Sequence, residues 1–143
     1  MFEQKPLSVE EAKQMNPVTL AFLGDAVYSL YVRERMVRKG GKPSEFQRAA
    51  SKVVSARGQS AFLENVLPLF SQEEEEIYRR GRNAKKATKS KHATAAEYNR
   101  STGFEAVLGY LYLTGNEERL YYLLAQTDEA MFQGQAAEQA FKP

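Results

Sequence analysis

Apolar positions recur at helical spacing through most of the chain. After Asn16-Pro17 they fall at Leu20, Leu23, Val27, Leu30 and Tyr31, three or four residues apart. Asn16 is a capping residue, and Pro17 suits the first turn because its missing N–H is not needed there. This helix is predicted to stop at Gly40-Gly41. Another opens at Pro43-Ser44 and carries Phe46, Ala49, Ala50, Val53, Val54 and Ala56. Ala61 to Phe70 forms a shorter apolar piece with Pro68 near its end. Ser71-Gln72-Glu73-Glu74 has capping-box spacing, and Glu73 to Glu76 fall in the first turn, where the helix dipole favours acids. The acidic run is therefore read as a helix start and not as a metal site. That helix is predicted to run through Ile77 and Tyr78 to about Arg82. Lys85 to Ala95 has little apolar content and reads as a loop. A last pair of helices is predicted at about Ala95 to Leu113 and Asn116 to about Phe132, with a frayed Gln/Ala-rich tail after Gly134. No strand alternation, heptad run or internal repeat is present. The pattern predicts an all-α chain.

Composition narrows the classes. A chain of 143 residues, 43% hydrophobic and 27% charged, suits one domain around one core. No apolar run reaches the roughly 18 residues of a membrane span. The opening Met1-Phe2-Glu3-Gln4-Lys5 lacks a signal pattern, so a cytoplasmic protein is expected. The absence of cysteine removes disulfides, thiolate nucleophiles and sulfur-based zinc sites. His92 is the one histidine, which excludes a His-rich metal site, and it reads as a loop residue.

The formal net charge is only +2, but it is unevenly spread. Arg79, Arg80, Arg82, Lys85, Lys86, Lys89, Lys91 and Arg100 stand against Glu97 alone in that stretch. A local basic block in a near-neutral chain points to a polyanion partner, with a solvated loop as the alternative.

Two carboxylates interrupt apolar runs. Asp25 lies within Leu20-Ala21-Phe22-Leu23-Gly24-Asp25-Ala26-Val27, in a helix expected to be buried or half-buried. Glu105 begins the apolar stretch that ends at Leu113 and is expected to point partly inward. An ionised carboxylate there needs a cation, donors or a metal. Two such acids from two core helices could share Mg²⁺ or Mn²⁺ through oxygen. The alternative is that each caps a helix or pairs with an arginine such as Arg33 or Arg57.

Phe22-Leu23-Gly24-Asp25-Ala26-Val27, followed about eighty residues later by Phe104-Glu105-Ala106-Val107-Leu108-Gly109-Tyr110-Leu111-Tyr112-Leu113, resembles the two signature blocks of ribonuclease III catalytic domains. Arg48 to Ala56 between them looks like that family's second helix, and the resemblance spans about residues 12 to 132. The stretch Arg80-Gly81-Arg82-Asn83-Ala84-Lys85, with Tyr98, Arg100, Ser101 and Thr102 beyond it, looks like the Mini-ribonuclease III subfamily. That subfamily is bacterial, has the catalytic domain without a double-stranded-RNA-binding domain, and matures the ends of 23S ribosomal RNA precursors.

The resemblance implies one ribonuclease III-type helical domain over residues 1–143. It further implies a homodimeric, magnesium-dependent endoribonuclease that cuts double-stranded RNA, with Mn²⁺ able to substitute and a ribosomal protein as possible helper. Asp25 and Glu105 are the implied catalytic residues and metal ligands. Arg82, Lys85, Lys86, Lys89, Lys91 and Arg100 are the candidate RNA contacts. Tyr98 is placed between stacking on RNA and core packing. Phe22, Tyr28 and Tyr31 are candidates for the dimer interface, with the chain's own core as the alternative. Departures from the parent family are confined to other acids: its glutamates four and seven residues before the signature aspartate are replaced by Ala21 and Val18, and its aspartate three before the final glutamate by Thr102. Mini-ribonuclease III proteins share this thinning. Fewer carboxylates imply looser metal binding with waters completing the shell. Glu45 is a weaker candidate for a groove-shaping acid. A non-catalytic RNA-binding module of the same fold is the alternative function.

Overall fold

The computed structural model describes residues 2, 5–86 and 92–128. Every regular element among them is helical. The order is α1 (Val9–Gln14), α2 (Pro17–Lys39), α3 (Pro43–Val54), α4 (Ala56–Val66), a 3₁₀ turn (Leu67–Leu69), α5 (Gln72–Asn83), α6 (Ala95–Leu113) and α7 (Glu117–Ala125).

Caps set most of the boundaries. Asn16 Oδ1 accepts from Val18 N at 2.8 Å, and Gly40 closes α2 at φ 89°, a left-handed backbone suited to glycine. Ser71 and Glu74 form the expected capping box of α5, and Thr94 with Glu97 forms another on α6. The predicted helices at 17–39, 43–54, 72–83 and 95–113 are present. Between them, α3 stops at Val54 and α4 starts at Ala56, five residues earlier than the apolar pattern indicates. The turn is made by Ser55, whose Oγ accepts from Gly58 N at 3.0 Å. The short helix α1 was not in the predicted set. The last helix ends at Ala125, and the predicted extension to Phe132 and the tail beyond Gly134 lie outside the described residues.

The central element is α6. From Ser101 to Leu111 only Glu105 is not buried, because α2 and α5 flank this helix and α4 crosses it. Tyr28, Phe62 and Phe104 meet at ring-centroid distances of 5.3 to 5.7 Å, so α2, α4 and α6 share one aromatic cluster.

Glu74 has a second task besides the cap. Its buried carboxylate receives Arg119 Nε at 2.9 Å and Nη2 at 2.8 Å, which ties α5 to α7. Burial pushes this carboxyl up, but Arg119 and the Ser71 donors outweigh it and hold it below the usual range. A depressed folded-state pKa means stability present at neutral pH and lost as pH falls below the ordinary carboxylate value. Removing one partner strands a buried charge, so Arg119→Ala is expected to cost about 3 kcal/mol in a urea titration at pH 7. The deficit should shrink at pH 3.

Candidate active site

The crossing of α2 and α6 has almost no side chain between the two backbones. A Cβ on Gly24 would stand 1.7 Å from the Glu105 carbonyl oxygen, and one on Gly109 would stand 2.0 Å from the Leu20 carbonyl oxygen. The pairs 24/105 and 20/109 run in opposite directions, so the helices are antiparallel, with one glycine notch each, one turn apart. Asp25 follows the first notch directly, and Glu105 supplies the backbone that fills it. The acids are thus brought side by side by backbone contact rather than by long side chains.

Their electrostatics follow from that placement. The Glu105 side chain is half-buried, and its carboxyl is pushed up to about 9, first by burial and then by hydrogen bonding with, and charge repulsion from, Asp25. Gln59 of α4 acts in the opposite direction and favours the ionised form. Asp25 itself is exposed, which corrects the expectation of an inward-facing acid. The reason is that α2 turns Leu20, Ala21, Gly24, Tyr28, Tyr31, Val32 and Met36 to the core, and Asp25 lies off that face.

Neither acid appears in an ion pair between described residues. Arg33 instead donates to Ser29 and Gln47, and Arg57 faces Glu97, so the arginines considered as counterions are engaged elsewhere. Two adjacent carboxylates with oxygen donors only, short of positive charge, fit a hard divalent cation. Among the described residues no third carboxylate or histidine joins them. That matches the thinned acid set and leaves most of an octahedral shell to water.

The basic segment divides by role. Arg80 spans the end of α1, donating to the Lys13 carbonyl at 2.7 Å and the Met15 carbonyl at 3.1 Å. Lys86 folds back over the end of α5, donating to the carbonyls of Gly81, Arg82 and Ala84 at 2.7 to 3.1 Å, and desolvation lowers its pKa. Arg82 lies with its guanidinium carbon 5.6 Å from the Tyr78 ring centre, and Arg100 pairs with Glu64 at 2.9 Å. Lys85 is exposed, while Lys89 and Lys91 lie outside the described residues. Glu45 is exposed in the first turn of α3, and His92 is exposed ahead of α6. Tyr98 is half-buried in the first turn of α6.

Of the aromatic residues considered for an interface, Tyr28 and Tyr31 are core residues of the chain itself, being 0% and 8% exposed. Phe22 is 83% exposed. Sequence reasoning missed Gln59. Its signal is an amide at the head of an otherwise apolar face, with Phe62, Leu63 and Val66 at the following helical steps.

Comparison with known proteins gives the family. The model of the ribonuclease III domain matches residues 18–116, which include both acids and both notches. A Mini-ribonuclease 3 of Brevibacillus brevis is 42% identical over 124 residues, covering 86% of this chain and 92% of that protein. The Mini-ribonuclease 3 of Streptococcus pneumoniae is 46% identical over 114 residues, covering 78% and 89%. A crystal structure of a Fusobacterium nucleatum protein superposes with a TM-score of 0.73 at 26% identity, covering 82% of this chain and 94% of that one. The chain belongs to the ribonuclease III family, among its Mini-ribonuclease 3 members.

Proposed function

We propose that this ribonuclease III-family endoribonuclease cleaves double-stranded RNA with a divalent cation, Mg²⁺ in the cell, held between Asp25 and Glu105. The observation that carries this reading is the juxtaposition of those two carboxylates at the α2–α6 crossing, where burial first and Asp25 second push Glu105 up to about 9. Asp25 and Glu105 would hold the ion through oxygen, and the half-buried wall around Glu105 keeps part of the site away from bulk solvent. When bound, the ion supplies the positive charge that polarises a phosphodiester and acidifies an attacking water. No histidine or thiol is needed, in keeping with a chain that has one histidine and no cysteine.

The reading extends to a homodimer acting on the ends of a 23S ribosomal RNA precursor in the cytoplasm. Support for the dimer comes from an apolar stripe on the outer face of α2, where Phe22 (83% exposed), the exposed Ala26 and Leu30 follow one another at four-residue steps. An exposed apolar stripe on a helix is suited to a partner, and a two-fold pairing would present one acid pair to each RNA strand. The test is cleavage of a perfect RNA duplex with Mg²⁺ titrated from zero, with sedimentation velocity on the same sample. Metal-dependent cutting by a dimer supports the reading; duplex binding without cutting at any Mg²⁺ or Mn²⁺ concentration sinks it.

RNA contacts are sought by charge. A-form duplexes are held mainly through phosphates and 2′-hydroxyls, so binding should weaken steeply with salt. Lys85 is exposed, whereas Lys86 is committed to the α5 carbonyls. Lys85→Ala is expected to reduce the slope of log affinity against log salt by about 0.7 to 0.9 for each subunit that engages the duplex, with the melting curve unchanged. Lys86→Ala is expected to lower the melting temperature first. An unchanged slope in Lys85→Ala removes that residue from the RNA surface.

A further inference from the structure

Two arginines flank the place where α5 and α6 lie closest. A Cβ on Gly81 would stand 2.9 Å from Gly103 Cα, so the two backbones nearly touch there. Arg82 follows Gly81 directly, and Arg100 lies one turn before Gly103. Arg82 lays its guanidinium over the buried Tyr78, 5.6 Å from the ring centre, and among the described residues no carboxylate pairs with it. Arg100 donates Nη1 to Glu64 Oε1 of α4 at 2.9 Å, and its buried Nε has no partner. Burial raises the Tyr78 phenol; Arg82 and Arg100 act against that shift and Glu64 with it, so all three charges stand around one ring. Two guanidiniums and one carboxylate leave the cluster net positive. The ion pair is also lopsided, with the Arg100 side chain 29% exposed and that of Glu64 76% exposed. Packing fixes the cation, while the anion stands in water, where such pairs hold weakly. A guanidinium takes two phosphodiester oxygens by the same fork that takes a carboxylate.

We propose that Arg82 and Arg100 form one phosphate site for the RNA backbone and that Glu64 is its resident competitor, giving up Arg100 when a phosphodiester arrives. The inference rests on the duplex-RNA reading above. Arg100 precedes Glu105 by five residues of α6, about 7.5 Å along the axis and about 140° around it. The phosphate it takes is therefore not the one being cut. Glu64 sets a threshold at this site. A duplex held at several points presents its phosphates at high local concentration and displaces the carboxylate, whereas a single phosphate ion lacks that advantage.

The test measures duplex binding in EDTA by fluorescence anisotropy, over a range of salt, for the full-length parent, Glu64→Gln, Arg82→Gln, Arg100→Gln and the Glu64→Gln/Arg100→Gln double variant. Glu64→Gln should bind about two- to fivefold more tightly for each subunit that engages the duplex, the range an exposed ion pair is worth, with its melting temperature unchanged. That gain should vanish in the Arg100→Gln background. Arg82→Gln and Arg100→Gln should each bind more weakly and lower the salt slope by about 0.7 to 0.9 per engaged subunit. Glu34→Gln, which opens the exposed Arg38–Glu34 pair of α2, also 2.9 Å long, controls for net charge and should gain less. The Arg100 Nε–H magnetic resonance signal of the parent gives an answer with no substitution at Arg100. It should move as duplex saturates the protein and stay in place with inorganic phosphate at the same phosphate concentration. A gain from Glu64→Gln that survives in Arg100→Gln, or that Glu34→Gln matches, is a general charge effect and overturns the proposal. So does an unchanged slope in either arginine variant, or an Nε–H signal unmoved at saturation. A parent that binds no duplex at any salt concentration sinks the RNA reading itself, and the site with it.

Discussion

Asp25→Asn and Glu105→Gln should each yield a folded protein that cuts duplex RNA at least about a thousandfold more slowly, equivalent to losing about 4 kcal/mol of transition-state stabilisation. With two carboxylates there is no redundancy, so losing either leaves one monodentate or bidentate ligand for an ion that already depends on water. The same substitutions should stabilise the metal-free protein, and the sign follows from the titration. Glu105 titrates at about 9 in the folded chain against 4.5 for an ordinary glutamate. Between those values the folded state binds more protons than the unfolded chain, so stability falls as pH rises through the window. Replacing either acid removes like-charge crowding and should raise stability at pH 8 by on the order of 2 kcal/mol. The gain should vanish toward pH 4, and saturating Mg²⁺ should close it by stabilising the parent alone. Melting curves in EDTA and in Mg²⁺, at pH 5 and pH 8, read this directly. Mutants that melt below the parent at every pH, or that cut at its rate, would falsify the two-acid site.

The opposite signs of these effects separate a functional pair from a structural one. Glu74 is the internal contrast. It is a buried carboxylate that lies against Arg119 and is pulled down, so its loss destabilises. Burial and the neighbouring Asp25 raise the cost of ionising Glu105, with no protein cation to offset it. Stability argues against keeping them, which is the pattern of residues retained for chemistry.

Much of the architecture was legible because helix ends are marked by local chemistry. Asn16-Pro17, Gly40 and the Ser71/Glu74 box act within a few residues, so reading the chain locates them. The α3–α4 corner was not legible in the same way. Its polar run Arg57-Gly58-Gln59-Ser60 looks like a gap between apolar pieces, yet it is helical, because Ser55 caps it and Gly58 lets it pass close to the Lys52 carbonyl. The six residues of α1 carry one buried position, Ala12, too few for periodicity to register. Asp25 reads in the sequence as an acid inside an apolar run, and the inward orientation this implies is not the one it takes, since it is exposed. Around Asp25 the run from Leu20 to Val27 is apolar on both sides, so the sequence does not show which side meets the rest of the chain. Lys86 looked like its basic neighbours, since a side chain folding back onto three carbonyls is a tertiary fact.

Gly24→Ala should be the most damaging small substitution in the molecule. Intrinsic helix propensity favours alanine over glycine by about 1 kcal/mol. That gain is outweighed, because the new methyl carbon would lie 1.7 Å from the Glu105 carbonyl oxygen and 2.9 Å from Gly109 N, both backbone atoms that no rotamer change can move. Relief requires α2 and α6 to part, and overpacking of this kind costs about 3 kcal/mol or more. Gly109→Ala meets the Leu20 carbonyl oxygen at 2.0 Å and should behave alike. Gly40→Ala is the contrast: it meets nothing within 4 Å, so its cost, about 1 to 3 kcal/mol for a backbone at φ 89° and ψ 164°, leaves the α2–α6 crossing and the acid pair undisturbed. The acid pair makes the prediction more than a stability claim. Molecules of Gly24→Ala that remain folded have their two carboxylates spread by the widened crossing, so Mn²⁺ affinity and cleavage per folded molecule should both fall. A Gly24→Ala protein that unfolds in urea with the parent and cuts at the parent rate would mean that some other contact sets the distance between Asp25 and Glu105.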